Sequence, residues 1–166
     1  MTTHGSVASQ PGFATKIATL DSLAERLVVL PRPRVFTNGV FDILHRGHVT
    51  YLDRARSLGG SLIVGVNTDA SVRRLGKGND RPINSVDDRL AVLAALESVD
   101  LAVAFDEDTP LALVLACHPD IIVKGGDYTA ETTVGAAEVI AWGGRFEAIP
   151  VVDGRSTSAL RARIRR

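Results

Sequence analysis

Two histidines three residues apart, His45 and His48, follow a short β-type run and a turn-prone Asn38-Gly39 pair. The run Val35-Phe36-Thr37 predicts a strand and the apolar spacing over 49–58 predicts a helix, so both imidazoles should sit at or just before a helix N-terminus. Unpaired backbone N–H groups and the positive end of the helix dipole favour an anion there. Two imidazole donors would add directional hydrogen bonds to phosphate oxygens. Gly47 leaves room for a ligand to approach the backbone. By itself, His-x-Gly-His is equally compatible with two histidines that cap a helix. Zinc would need further ligands, and Cys117, His118 and His4 lack ligand spacing.

Other residues could share this chemistry. Lys124-Gly125-Gly126-Asp127-Tyr128 leaves an apolar strand and enters a turn; a lysine there can reach phosphate, or can simply be a surface Lys beside a flexible turn. Gly154-Arg155-Ser156-Thr157-Ser158 offers hydroxyls and N–H groups at a helix start, for outer phosphates or as ordinary N-caps. Asp42 and Asp69 could orient a sugar hydroxyl, help hold a hydrated Mg²⁺, or make Asx turns; for Asp42, positioning of a sugar or phosphate is favoured. Lys77 and Arg81 could clamp a sugar phosphate, or belong to a solvated basic loop. Cys117 is assigned to packing, and Trp142 to the core or a subunit interface. No Gly-x-Gly-x-x-Gly follows the first strand, and Gly76-Lys77 lacks the rest of a P-loop, so two common nucleotide motifs are absent.

The elements that must position these residues alternate along the chain. A helix capped by Thr19 or Asp21 is stopped by Pro31-Arg32-Pro33. Strands are predicted over 35–37, 62–66, 101–105, 121–124 and 146–149. Helices are predicted over 49–58, 86–97 with Ser85 as cap, 111–117 opened by Asp108-Thr109-Pro110, 131–142, and from about Ser156 onward. Residues 68–82 read as a loop. The fold class is therefore α/β: a Rossmann-like, doubly wound parallel sheet in a three-layer α/β/α sandwich. Ligands in such sheets bind beyond the carboxyl ends of the strands, where the strand order reverses. The polar clusters at 37–48, 67–69 and 124–128 all follow strand ends.

Residues 1–13 are small and polar, and read as a disordered tail ahead of a single domain over 14–166. Lys plus Arg equals Asp plus Glu, at 19 each among 166 residues, so no global charge favours nucleic acid or an anionic membrane surface. One cysteine excludes an internal disulfide and suits a reducing compartment. With no run of ~20 apolar residues and no signal-peptide core, a cytoplasmic location is expected.

The string Thr37-Asn38-Gly39-Val40-Phe41-Asp42-Ile43-Leu44-His45-Arg46-Gly47-His48 resembles the signature of the nucleotidylyltransferase superfamily. With Val66-Asn67-Thr68-Asp69-Ala70-Ser71, Arg81-Pro82-Ile83-Asn84, Phe105-Asp106-Glu107-Asp108-Thr109-Pro110, Lys124 to Tyr128 and Ser156-Thr157-Ser158, the chain resembles the D-glycero-β-D-manno-heptose 1-phosphate adenylyltransferases from about Lys16 onward. It departs from their pattern at Arg155 and Ser158, where a phosphate donor is nevertheless retained. The resemblance implies attack of a sugar 1-phosphate on the α-phosphorus of ATP, with Mg²⁺ accompanying the nucleotide. It implies His45, His48 and Lys124 as catalytic residues. Phe36, Thr37, Asn38, Gly39, Gly125, Ser156, Thr157 and Ser158 would join them around ATP. Val40, Phe41, Asp42, Asn67, Asp69, Lys77, Arg81, Asp127 and Tyr128 would surround the sugar phosphate. No protein ligand for the metal is singled out. It further implies a homo-oligomer and, since the chain looks like the stand-alone form of an activity often fused to a sugar kinase, a separate heptose-phosphate kinase upstream. Alternatives are a transferase using CTP or another sugar or alcohol phosphate, and a regulatory module that binds nucleotide without reaction.

Overall fold

The computed structural model describes residues 10–76 and 81–150. Among them, six strands run as β1 Ile17–Ala18, β2 Arg34–Gly39, β3 Ser61–Asn67, β4 Leu101–Phe105, β5 Ile121–Gly125 and β6 Arg145–Ile149. The helices are α1 Leu20–Val29, α2 Arg46–Arg56, α3 Asp69–Arg74, α4 Val86–Ala94, α5 Leu111–Cys117 and α6 Ala136–Ala141. The strands form one sheet in the order β1-β4-β3-β2-β5-β6, and every pairing is parallel. From β2 the chain winds outward through β3 to β4, then returns to lay β5 on the other side of β2. The strand order thus reverses between β2 and β5, where parallel α/β sheets open a crevice at their carboxyl ends.

Side chains alternate across the sheet and divide the core into two layers. Phe36, Ile63, Leu101, Val103 and Ile122 pack with Leu23, Leu27, Leu113, Val114, Cys117 and Val139, which come from α1, α5 and α6. Val35, Leu62, Val64, Ala102, Ile121 and Val123 pack on the opposite face with Leu52, Ala55, Leu90 and Leu93 of α2 and α4. The expected three-layer sandwich is what forms. Glycine permits close approach at its centre: a Cβ on Gly65 of β3 would lie 3.0 Å from Leu113 Cδ2 and 3.2 Å from both Phe36 and Asn38.

Local chemistry explains most helix ends. Thr19 caps α1 in a capping box with Ser22, and Ser85 caps α4 by accepting from the Asp88 amide. Several boundaries differ from the sequence expectation. α2 begins at Arg46 rather than 49, because the His45 side chain itself serves as the N-cap. The stretch 68–82 contains α3: Thr68 Oγ1 accepts from the Ser71 amide, Asp69 stands in the first turn and Arg73 and Arg74 in the last, but six residues are too few to show periodicity. Asp108 does not cap α5; its carboxylate accepts from Arg74 Nε at 2.7 Å, and the helix opens behind Pro110 without a side-chain cap. α6 is confined to Ala136–Ala141, since Gly135 at φ 91° breaks the backbone ahead of it and Thr129, Thr132 and Thr133 form their own hydrogen-bonded turn. α4 ends at Ala94, short of the expected 97. Strand β1, two residues on the sheet edge beside β4, was not expected from sequence. A 3₁₀ helix over Gly12–Lys16 begins inside the stretch assigned to the tail; residues 1–9 and the helix expected after Ser156 lie outside the described residues. Cys117 and Trp142 have the packing roles expected of them: the thiol is buried, and Trp142 stacks on His118 while its indole N–H donates to the Pro119 carbonyl. Among the described residues, no helix is long and apolar enough to cross a membrane.

Leu52 is fully buried and fastens the middle of α2 to the sheet. Leu52→Ala should cost about 2–5 kcal/mol in urea unfolding by leaving a cavity under that helix.

Candidate active site

The loop leaving β2 builds the site. Phe41 adopts a left-handed backbone conformation at φ 49°, unusual for an aromatic residue, and a Cβ on Gly39 would lie 3.1 Å from its ring. This sharp exit turns the chain into α2 and seats the two histidines. Their rings stack with centroids 4.0 Å apart, and the Phe41 ring meets His48 edge-on at 5.5 Å. His45 Nδ1 accepts the Gly47 amide at 3.1 Å, which leaves Nε2 as the protonated nitrogen of the neutral ring. His48 lies in the first turn of α2. Burial first, and the neighbouring His45 second, lower its pKa from 6.5 to about 4. His48 therefore enters the site as a neutral ring, and His45, whose Nδ1 already accepts a hydrogen bond, presents Nε2. His48 Nδ1 is buried with no hydrogen-bond partner among the described residues, which favours a ligand that supplies one.

Across the switch point, Lys124 at the end of β5 donates to the Asn38 carbonyl at 2.9 Å and to Asn38 Oδ1 at 2.6 Å, with its ammonium 5.8 Å from the centre of the Tyr128 ring. The lysine anticipated from sequence is thus tied to the end of the strand that carries the histidine loop. A second tie comes from Tyr51 of α2. Its hydroxyl is 2.7 Å from Thr37 Oγ1 and donates to the Val123 carbonyl at 3.2 Å, joining α2, β2 and β5. Burial pushes the phenol up to about 12, so it remains a donor at any physiological pH.

On the other side of β2, the acidic residues have internal partners. Asp42 is buried; its Oδ1 accepts the amides of Ile83 at 2.8 Å and Asn84 at 3.0 Å. Asp69 Oδ1 accepts from Arg89 Nη2 at 2.7 Å. Arg89, nearly inaccessible on α4, also donates to the Val40 carbonyl at 2.7 Å and the Asn84 carbonyl at 3.1 Å. Arg81 stands with Nε 3.9 Å from Asp42 Oδ2, and its Nε and Nη2 have no hydrogen-bond partner among the described residues.

These contacts give several of the expected site residues partners inside the protein. The Asp42 carboxylate latches the 83–84 segment through Oδ1, while its Oδ2 is buried with no hydrogen-bond partner among the described residues. The Asp69 carboxylate is engaged by Arg89. The Thr37 hydroxyl is buried against Tyr51, and the Phe36 side chain lies in the core on the α1 side, leaving their backbones as the groups that could meet a nucleotide. Asn67 is buried and donates to Ser71 Oγ at 3.0 Å. Val40 contributes its carbonyl to Arg89, while Gly125, Asp127 and Tyr128 follow Lys124 at the carboxyl end of β5, with Tyr128 half exposed. Lys77, Ser156, Thr157 and Ser158 lie outside the described residues. The Asp106-Glu107-Asp108 string seats α3: Thr68 Oγ1 donates to Asp106, Ser71 Oγ donates to the Glu107 carbonyl, and Arg74 pairs with Asp108.

Sequence inspection passed over Arg89 and Tyr51, although each carried a signal. Val86, Arg89, Leu90 and Leu93, and likewise His48, Tyr51, Leu52 and Ala55, follow i, i+3, i+4, i+7 spacing, which places a polar side chain on the stripe that faces the core.

The stacked histidine pair, the switch point of the parallel sheet and Lys124 all lie within a stretch that a family model matches. The cytidylyltransferase-like model covers residues 36–161. The chain belongs to the cytidylyltransferase-like family. Within this family it is 57% identical to a D-β-D-heptose 1-phosphate adenylyltransferase of Bordetella bronchiseptica, over 95% of this chain and 98% of that one. It is 54% identical to a bifunctional protein HldE of Methylobacillus flagellatus, where the match covers 87% of this chain but 30% of the longer protein. Among solved structures it is similar to a lipopolysaccharide core biosynthesis protein of Thermoplasma volcanium, with TM-score 0.59 and 34% identity over 72% of this chain and 95% of that one. The strings that resembled heptose 1-phosphate adenylyltransferases thus sit in a cytidylyltransferase-like fold with relatives of that name.

The histidine environment makes a direct prediction. In the free protein the His48 ring should titrate near 4 rather than 6.5 in an NMR pH series. Because the unfolded chain takes up this proton first, the stability associated with His48 should be complete above about 6.5 and disappear as the pH falls toward 4. A His48 midpoint at 6 or above would contradict the buried, stacked geometry.

Proposed function

We propose that this protein transfers the adenylyl group of ATP to D-glycero-β-D-manno-heptose 1-phosphate, releasing pyrophosphate and ADP-D-glycero-β-D-manno-heptose for lipopolysaccharide core synthesis. The observation that carries the chemistry is the stacked His45–His48 pair at the start of α2, with Lys124 fixed on the neighbouring strand end. Adenylyl rather than cytidylyl transfer, and a heptose acceptor, are supported by the name of the relative that matches this chain over nearly its whole length.

The reaction needs little from the protein beyond alignment and charge stabilisation. A phosphate oxygen of the sugar 1-phosphate attacks the α-phosphorus of ATP, a new P–O bond forms, and the bond to the β-phosphate bridge breaks so that pyrophosphate leaves with its electron pair. The nucleophile is already an anion, so no general base is required. Donors are needed where negative charge grows on the α-phosphate and the leaving group. Imidazole N–H groups of His45 and His48, the N-terminal amides of α2 and the Lys124 ammonium are of the right kind. Ser156, Thr157 and Ser158 belong to the same proposal as donors to the outer phosphates. Mg²⁺ belongs to the same proposal, carried on the triphosphate, where it would neutralise part of the phosphate charge. The proposal extends to a homo-oligomer in the cytoplasm, supplied with substrate by a separate heptose-phosphate kinase.

Pyrophosphate release by the purified protein with Mg²⁺ tests this function, with ATP or CTP, each with and without the heptose 1-phosphate. Release only with ATP plus the heptose phosphate is expected. Release with CTP, or only with another acceptor, would retain the chemistry and overturn the substrate; tight ATP binding without turnover of any sugar phosphate would make the protein a nucleotide-binding module. His48→Ala should lower turnover by a factor on the order of 10² to 10³, the usual effect of losing one oriented transition-state donor. Full activity in that variant would remove His48 from the mechanism.

A further inference from the structure

Arg89 is a charged side chain held almost wholly inside the protein, and its three hydrogen bonds go to three separate segments. Nη1 reaches the Val40 carbonyl at 2.7 Å, in the loop that leaves β2. Nη2 reaches Asp69 Oδ1 at 2.7 Å, in the first turn of α3 just beyond β3. Nε reaches the Asn84 carbonyl at 3.1 Å, in the segment that leads into α4. Only a planar guanidinium offers donors in a fixed fork of this kind; an ammonium on a shorter stem cannot satisfy all three acceptors in the same geometry. A second set of bonds closes the cluster: Asp42 Oδ1 accepts the Ile83 and Asn84 amides, and Asn84 Nδ2 donates back to the Asp42 carbonyl. Arg81, two residues before Ile83, stands within 3.9 Å of the Asp42 carboxylate, with its side chain only 11% exposed.

The lattice lies on the β3 side of β2, whereas Lys124 and its bond to Asn38 lie on the β5 side. In-line displacement at the α-phosphorus requires the nucleophile and the leaving pyrophosphate on opposite sides of the reacting atom. In the function proposed above Lys124 takes the leaving pyrophosphate on the β5 side, and the acceptor would then have its place on the β3 side, beside Arg81 and the segments tied by Arg89. We propose that Arg89 is the positioning residue of the acceptor half of the site: it touches no substrate, and it holds the Val40–Asp42 turn, Asp69 and the Arg81–Asn84 segment in the register that receives the sugar phosphate. This rests on the function proposed above.

Arg89→Lys keeps the charge and most of the stem, and breaks the three-way fork. In that variant the KM for the sugar phosphate should rise about tenfold, as for the loss of oriented charge-assisted hydrogen bonds, while the Kd for ATP, measured by calorimetry, stays within about twofold of the parent. Hydrogen exchange without substrate should quicken at the Ile83 and Asn84 amides and stay unchanged at the β2 and β5 ladder amides. A merely structural role would lower the melting temperature and the active fraction, leaving the acceptor KM where it was. An unchanged acceptor KM, equal weakening of ATP and acceptor, or unchanged exchange at Ile83 and Asn84 would overturn the assignment. If the parent protein releases no pyrophosphate with any sugar phosphate, the proposed function fails by itself, and the exchange experiment still decides whether Arg89 orders these segments.

Discussion

Everything in the site hangs on the way the chain leaves β2. That strand is the inner member of both arms of the sheet, paired with β3 on one side and β5 on the other, so its carboxyl end opens into the crevice that the reversed winding order creates. Within a few residues the exit carries Asn38, which binds Lys124; Val40, which binds Arg89; Phe41, which packs on His48; Asp42, which binds the 83–84 backbone; and His45, which caps α2. The left-handed turn at Phe41 costs about 1–2 kcal/mol in a residue with a side chain, and it persists because contacts on both sides determine it.

The electrostatics are those of a site prepared for anions without a dense positive charge. Burial first, and the neighbouring His45 second, oppose protonation of His48, and the cap and the stack orient the two rings. Tyr51 stays protonated for the same reason of burial. The one carboxylate buried in the β2 exit, Asp42, is compensated by two backbone amides with Arg81 close by. Asp42 Oδ2 is itself buried without a hydrogen-bond partner among the described residues, with Arg81 Nε 3.9 Å away.

The two flanks of the exit loop divide the labour. On the β5 side, Tyr51 ties the histidine helix to β2 and β5, and Lys124 ties β5 to the end of β2. On the β3 side, Arg89 and Asp42 gather segments that are far apart in sequence and have no regular structure to align them. The Asp106-Glu107-Asp108 string extends this order outward by fixing α3.

Sequence alone determined the alternation of strands and helices, the parallel three-layer architecture, the histidine pair at a helix start and the lysine at a strand end, because period, caps and turn residues act over a few neighbouring positions. It did not reveal that α3 lies within 68–82, or that 131–135 is not helical, since a six-residue helix has too little periodicity and the Thr129–Gly135 turn competes through its own hydrogen bonds. Nor did it show which partners the carboxylates have inside the protein. Asp42 and Asp69 have the composition of binding residues, and only the approach of Ile83, Asn84 and Arg89 from 20 or more positions along the chain gives them their partners. The same holds for the shifted His48 and for the roles of Tyr51 and Arg89. Burial and long-range hydrogen bonds are properties of the packed chain, and they exist only once β2 lies between β3 and β5.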